Sequence, residues 1–164
     1  MVLEIKKYPN PGLKKRAKEV EGIDGEVRKL VSDMLETMYA CQGVGLAAPQ
    51  VGVQKRVFVT DTGSGPRVFI NPKILKKYGK EYSEEGCLSV PGDFLKIKRA
   101  KSLEIEALNL EGKKFKIKAS GLLAKAIQQE MDHLDGILII DRLGFWQKLK
   151  RKIFRHGQLR ENKI

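Results

Sequence analysis

The stretch Gln128–His133 reads Gln-Gln-Glu-Met-Asp-His and lies inside a segment with the apolar periodicity of a helix. This helix is predicted to begin after Ser120 as its N-cap and to run to about Leu134, where Gly136 closes it. One stripe of the helix is apolar and is expected to anchor it in the core; it consists of Leu123, Ile127, Met131 and Leu134. The stretch therefore predicts a central helix with a polar face.

The polar face of this helix has the pattern of a metal-dependent hydrolase with one ligand missing. A His-Glu-x-x-His helix presents two imidazoles one turn apart, with a carboxylate beside them. Here His133 and Glu130 are in place, and Gln129 occupies the position of the first histidine. Residues 129 and 133 share a face, and Glu130 lies about 100° from Gln129 around the axis. The residue types predict metal-dependent hydrolysis, and Gln129 predicts weakened metal binding.

Size and composition favour a soluble single domain. The 164 residues are 41% hydrophobic and 32% charged, which suits one globular domain and is too short for two ordinary ones. There is no apolar run long enough to span a membrane, and the N-terminus has no apolar signal core, so a cytoplasmic location is expected. A disulfide between Cys41 and Cys87 is not expected, because a reducing compartment opposes it.

The net charge of +12 is distributed unevenly along the chain. Residues 145–164 contain seven Lys or Arg and one acid, Glu161, so this tail carries half of the net charge. Such a tail suits binding to a polyanion such as RNA, and it equally suits a solvated helix that maintains solubility. Charge alone does not separate these two interpretations.

Apolar patterns elsewhere predict an α+β fold with antiparallel sheets packed around the central helix. The periodicity from Val27 to Tyr39 predicts an amphipathic helix over 25–41, N-capped near Asp24 and stopped at Gly43. The other predicted elements are strands over 56–60 and 67–70, a hairpin formed by 103–110 and 114–119, and a further helix, the third, over about 144–156. The predicted organisation is a catalytic domain over 1–143 and a basic C-terminal helix or tail over 144–164.

Two further segments carry residues suited to a functional site. Gly43–Gln50 is rich in small residues, which allow a close approach of the backbone to a ligand. Glu84–Gly92 places Cys87 between a glycine and an apolar residue, among turn formers. Together with Gln129–His133, these segments resemble the three motifs of the peptide deformylases: Gly-x-Gly-Leu-Ala-Ala-x-Gln, Glu-Gly-Cys-Leu-Ser and Gln-His-Glu-x-Asp-His-Leu. The resemblance extends from Tyr8 to about Arg142.

The resemblance implies a divalent ion, iron(II) or zinc, held by the Cys87 thiolate and the His133 imidazole, with water in an open position. It implies that Glu130 is the general acid/base, moving a proton from that water to the departing amine. Because Gln129 replaces a histidine, no ligand role is transferred to it, since a neutral amide oxygen matches such a site poorly. The metal is therefore expected to bind weakly and turnover to be strongly reduced, with the fold intact.

The same resemblance assigns the residues that would contact the substrate. The Gln50 side-chain amide and the Leu88 backbone N–H would stabilise the oxyanion formed at the formyl carbon. Val44 and Gly45 would pair with the substrate backbone as an added strand. The implied substrate is the N-formylmethionyl end of nascent peptides, and the implied partner of the basic C-terminal helix is the ribosome.

Three further residues have open roles in the sequence. Cys41 is expected to be a small buried thiol at a helix end rather than a site residue. Arg99 lies where deformylases carry an arginine, which implies a site-bracing role, with a surface arginine as the alternative. His156 would replace the missing ligand only if the C-terminal helix folded over the site, which its place in a basic run disfavours.

Three functional hypotheses follow, in decreasing order of support. The first is a deformylase-type metalloamidase impaired by Gln129. The second is a catalytically silent protein on the same fold that binds formyl peptides or the ribosome. The third is an unrelated basic RNA-binding domain, which is weakest because no recognised RNA-binding motif is present and only 7% of residues are aromatic.

Overall fold

Two helices and seven strands form the part of the chain that the computed structural model describes, namely residues 1–144, 147, 148 and 151. The helices are α1 (Gly25–Ala40) and α2 (Gly121–Leu134). The strands are β1 (Gly45–Ala47), β2 (Val57–Thr60), β3 (Arg67–Tyr78), β4 (Glu81–Cys87), β5 (Val90–Arg99), β6 (Ser102–Leu108) and β7 (Lys114–Ser120). Short 3-10 turns occupy Pro11–Lys14, Ala48–Val51 and Ile139–Arg142.

The two helices predicted within residues 1–143 are present with bounds close to those expected. The Asp24 side chain accepts a hydrogen bond of 2.9 Å from the Val27 N–H, which satisfies one of the free donors at the start of α1. Ser120 occupies the N-cap position of α2 as predicted, although its side chain makes no capping hydrogen bond. Gly136 follows α2 with a positive φ of 73°, a conformation that glycine adopts without strain.

The seven strands of the described residues pair antiparallel and form two sheets, and a single parallel bridge joins Lys18 and Lys55 outside them. β1, β2, β3, β6 and β7 lie side by side in that order, and β4 and β5 form a separate hairpin. The predicted α+β class with antiparallel sheets is confirmed. The two faces of the larger sheet are covered differently: α2 packs on one side through Ile127 and Leu134, while α1 covers only the β1–β2 part of the other.

The core between α2 and the sheet consists of the predicted helix stripe and facing strand residues. Ile127 and Leu134 are fully buried, and Leu123 and Met131 are partly buried against the same cluster. The rings of Phe58 and Phe69 stack behind them with centroids 4.6 Å apart. This packing fixes α2 along the sheet and leaves its other face toward β4.

Three strands, β1, β4 and β5, went unrecognised in the sequence, and β3 is longer than predicted. The segment Glu84–Gly92, interpreted as a turn-rich stretch, is the tip of the β4–β5 hairpin. The inward positions of this hairpin include Ser83, Glu85 and Arg99, so its buried face lacks the usual apolar alternation. β3 continues to Tyr78 rather than ending at residue 70, through irregularities in its pairing with β6.

The predicted helix over 144–156 lies outside the described residues, except for residues 144, 147, 148 and 151, and so does His156. In the described part, no helix has the length and apolarity to cross a lipid bilayer. Cys41 and Cys87 are both free thiols.

Candidate active site

The end of β4 and the polar face of α2 meet at a buried pair of side chains. The Sγ atom of Cys87 lies 3.3 Å from Nε2 of His133, although the two residues are 46 positions apart in the sequence. Zinc–sulfur and zinc–nitrogen bonds are about 2.3 and 2.0 Å long. A sulfur and a nitrogen atom at this separation can therefore both bind one zinc ion, with an S–Zn–N angle of about 100°. The sequence-predicted pair is therefore brought together.

Burial leaves this pair uncharged when no metal is bound. It raises the pKa of the Cys87 thiol to about 11, against the opposing effect of a hydrogen bond from the Ser89 N–H. Burial also lowers the pKa of His133 to about 4. The Nδ1 atom of His133 has no hydrogen-bond partner among the described residues. A neutral thiol and a neutral imidazole thus face each other at neutral pH.

Glu130 reaches the same site from the adjacent position on α2. Burial raises the pKa of its carboxyl to about 8, against the opposing charge of Arg99. Its Oε2 atom has no partner in the described part of the chain. A Cβ atom added at Gly45 would lie 2.5 Å from Glu130 Oε1, so the backbone of β1 approaches this carboxyl as only glycine allows.

The side-chain amide of Gln50 is held in a fixed orientation beside the pair. Its oxygen accepts a hydrogen bond of 2.8 Å from the Ala47 N–H. Its nitrogen donates to the Ser89 hydroxyl at 3.2 Å and lies 3.9 Å from Cys87 Sγ. The amide N–H groups therefore point toward the region where Cys87 and His133 meet.

Cys87, Glu130 and Gln50 line one cleft of about 540 Å³, and His133 lies behind Cys87, buried below the cleft surface. Its wall also includes Val44, Gly45 and Leu88, which the sequence assigned to substrate contacts. Cys41 lines the cleft as well and is only partly buried, so the expectation of a buried thiol away from the site is wrong. Phe94 was not predicted; it is 74% exposed at the rim.

Comparisons with known proteins identify the family of the chain. The sequence model of the polypeptide deformylase family matches residues 2–149. A peptide deformylase of Thermodesulfovibrio yellowstonii is 49% identical over 159 residues, 94% of each chain. One of Clostridium botulinum is 54% identical, covering 84% of this chain and 94% of its own. A crystal structure from Legionella pneumophila superimposes with a TM-score of 0.88 at 39% identity, covering both chains fully. The chain belongs to the peptide deformylase family.

Peptide deformylases imply a divalent metal, and the residues of this family member supply an incomplete donor set for it. The Gln129 side chain donates a hydrogen bond of 2.9 Å to the Gly86 carbonyl, beside the Cys87–His133 pair. Within residues 1–144, 147, 148 and 151, no group of three or more His, Cys, Asp or Glu is arranged to hold a metal. Two donors, Cys87 and His133, do not fit a three-ligand site.

A buried ion network joins the elements that carry the site. The Arg99 guanidinium donates to both oxygens of Glu85 at 2.8 Å and to Asp132 at 2.6 Å. Its side chain is 3% exposed, which excludes the surface alternative. Arg142 also donates to Asp132. The network joins β5 to β4 and to α2. Its contact on α2, Asp132, is next to His133, and its contact on β4, Glu85, is two residues from Cys87.

Sequence reasoning missed the acidic partners in this network. Glu85 lies two residues before Cys87, so it shares the inward face of β4, and Asp132 adjoins His133 on α2. These two spacings can be recognised in the sequence. The convergence of both carboxylates on Arg99 cannot, because it depends on how the hairpin packs against the helix.

Proposed function

We propose that this deformylase-family chain binds the N-formylmethionyl end of nascent peptides in the cleft and hydrolyses the formyl amide only slowly. The observation that carries the proposal is the convergence of Cys87, Glu130 and Gln50 on one cleft wall, with the buried His133 directly behind Cys87. Its expected location is the cytoplasm, where such peptides are made.

Strand β1 supplies a docking edge for the substrate backbone. β1 lies at the end of the five-stranded sheet, and among the described residues it pairs only with β2. An extended peptide can add to such an edge through main-chain hydrogen bonds. Val44 and Gly45, next to the cleft, are the residues proposed to make these contacts, and the lack of a side chain at Gly45 permits the close approach.

Two donors are proposed to stabilise the oxyanion that forms at the formyl carbon. The Gln50 amide nitrogen is oriented toward Cys87 by the bond between its oxygen and the Ala47 N–H. The Leu88 N–H follows Cys87 directly in the chain. Donors fixed before the reaction stabilise developing charge without reorganisation, and each contributes about 3 kcal/mol in comparable sites.

Glu130 is proposed to carry the proton. In the metal-free site its pKa of about 8 lies close to neutral pH, so the carboxyl exchanges a proton there readily. Its position against Gly45 places it beside the proposed substrate strand. It would accept a proton from water and deliver it to the departing amine.

The family's metal, iron(II) or zinc, is proposed to bind weakly. Cys87 and His133 would remain as its ligands, and Gln129 contributes an amide that is engaged with Gly86. Replacing a residue that only contacts a metal ligand typically lowers metal affinity by about 10–100-fold. The loss of a ligand itself is expected to lower it further. Strongly reduced turnover follows.

A second candidate function is a silent binding protein that keeps affinity for formyl peptides or the ribosome. The bond between Gln129 and Gly86 favours it, because the helix and hairpin stay joined without a metal ligand at residue 129. Arg151 also donates to Asp93 at 2.5 and 2.9 Å, which places the start of the basic C-terminal segment beside the cleft.

The deciding experiment compares the unmodified chain, which has Gln129, with the Gln129→His variant. Bound metal is measured by elemental analysis, and formate release is measured with a formyl-Met tripeptide. We expect near-stoichiometric metal and rapid release only for the histidine variant, with Gln129→Asn as a control that stays low. Equal metal content and equal rates in the original chain and the histidine variant would refute impairment.

The same comparison tests the hydrolase assignment itself. Failure of both the chain as written and Gln129→His to release formate, with metal bound, would refute it. Calorimetric binding of the formyl tripeptide, set against the same tripeptide with a free amine, then tests the silent-binding alternative. Discrimination between these two peptides supports that function, and equal affinity excludes it.

A further inference from the structure

Part of the larger sheet has an open outer face on which lysines are arranged in rows. Leu103, Ile105 and Ala107 of β6 point into the core against α2, so the alternate residues point the other way. Helix α1 covers this outer side only at β1 and β2. The remaining area is here called the lysine face, and its cations are Lys73, Lys76, Lys114, Lys116 and Lys118.

The strand register explains how these lysines come together. Lys73 and Lys76 of β3 lie opposite Glu106 and Glu104 of β6, and those glutamates lie opposite lysines of β7. Two acidic side chains are thus flanked by five cations. Along one strand, successive side chains on the same face are about 6.6 Å apart, and neighbouring strands are about 4.8 Å apart. The result is a two-dimensional array of positive charge.

The lysines stand above the glutamates and are more exposed to solvent. Lys114 and Lys116 each place Nζ 3.3 Å from the Glu106 carboxylate; both lysine side chains are 65% exposed, and that of Glu106 is 20% exposed. Lys118 Nζ lies 5.2 Å from the centroid of the Tyr78 ring. A partner approaching this face therefore meets ammonium groups and one aromatic ring before it meets a carboxylate.

The lysine face lies within a segment of the chain that is itself rich in positive charge. Residues 67–120 contain 13 Lys or Arg and seven acids, an excess of six that equals the excess in the tail. The face also continues into a groove of about 670 Å³ whose charged lining consists of Arg16, Arg56, Lys73 and Lys114 with Glu19 and Glu106, and Arg56 is paired with Asp135. The Arg16 side chain is 80% exposed there. The face itself holds five lysines against two glutamates, and a ladder of ion pairs that served only to join the strands would not need this excess of lysines.

We propose that the lysine face binds the phosphate backbone of RNA. Arrays of point-like ammonium charges bind a polyanion without reading its sequence, and they release counterions as they do so. An anionic membrane is the poorer match, because the ring beside these lysines is that of Tyr78, whose hydroxyl donates to Glu104, and peripheral membrane binding uses buried apolar area as well as charge. This inference is independent of the formyl-peptide chemistry, since the face lies outside the cleft.

The test uses the full chain and a fluorescently labelled RNA duplex of 20 base pairs. Binding is followed by anisotropy over a range of salt concentrations for Lys114→Gln/Lys116→Gln/Lys118→Gln. The matched control, Lys15→Gln/Lys18→Gln/Arg28→Gln, removes the same charge from exposed positions elsewhere. We expect the slope of log K against log salt to become shallower by about 2 to 3 for the face variant and by less than about 1 for the control.

A second face variant, Lys73→Gln/Lys76→Gln, guards against misfolding of the first, and thermal unfolding of each variant is measured in parallel. RNA binding by this second variant must also be weaker than RNA binding by the control. Equal losses in the control and the face variants would overturn the proposal, because net charge alone would then explain binding. Vesicles containing phosphatidylglycerol that bind tightly when the duplex does not would overturn it in favour of a membrane.

Discussion

Arg99 holds Glu85 through two hydrogen bonds of 2.8 Å, and both side chains are almost completely buried. Because Glu85 lies two residues from Cys87 and Arg99 also binds Asp132 on α2, this pair fixes the distance between the Cys87 strand and the His133 helix. The position of the site in the cleft therefore depends on a salt bridge that touches none of the reacting groups.

Replacing Arg99 with leucine is expected to destabilise the fold strongly. The change leaves Glu85 and Asp132 buried without their shared cation, and breaking such a pair from one side destabilises by about 3–5 kcal/mol. Urea unfolding measures the loss. Lys98→Leu, at the neighbouring exposed position of β5, is the control and should change the free energy of unfolding by less than about 0.5 kcal/mol. Similar losses in the two variants would show that the network is not important.

Gly45→Ala should disturb Glu130 without unfolding the protein. The new methyl group would lie 2.5 Å from Glu130 Oε1, and overpacking of this kind typically destabilises by about 1–3 kcal/mol. Thermal unfolding and binding of a formyl-Met tripeptide are measured together, and both are expected to weaken. Gly22→Ala is the matched control, because a methyl group there meets nothing within 4 Å. An unchanged Gly45→Ala protein would contradict the close contact.

The stability of the metal-free protein should fall as the pH rises from 6.5 to 8. Burial raises the pKa of Glu130 to about 8 from its ordinary 4.5, so in this range the folded protein binds a proton that the unfolded chain has released. His133 acts in the opposite direction, but only between about 4 and 6.5, because its pKa is lowered. Unfolding in urea with a chelator present measures the effect.

Glu130→Gln is the control for that measurement. Glutamine has no proton to release, so the stability of this variant should vary much less over the same pH range. If the original chain and the variant respond equally between pH 6.5 and 8, the raised pKa of Glu130 is refuted.

Deleting residues 146–164 is expected to weaken ribosome binding in a salt-dependent way. The tail of residues 145–164 carries half of the net positive charge, and screening by salt reduces the attraction between exposed charges and RNA. Sedimentation with ribosomes at two salt concentrations measures the loss, and binding of a small formyl peptide should be unchanged. Full ribosome affinity after the deletion would exclude the tail as the main contact.

Much of the fold could be predicted from local sequence. The periodicity of α1 and α2 gave bounds within about a residue of those observed, and alternation located β6 and β7. The β4–β5 hairpin was missed because several of its inward positions, Ser83, Glu85 and Arg99, are polar, and a search for apolar period-two alternation does not detect such a face. Cys41 was misplaced for a related reason, since a cysteine after a helix gives no local indication of the cleft beside it.

The sequence by itself determined which chemical groups are available: one thiol, one imidazole and one carboxyl in deformylase motifs, and an amide at residue 129 where a ligand was expected. The tertiary structure decided what surrounds them. It placed Cys87 3.3 Å from His133, turned Gln129 toward Gly86 and buried Glu130 against Gly45. Contacts across dozens of residues arise from packing between elements, and so do the pKa values, because burial depends on the complete set of neighbours.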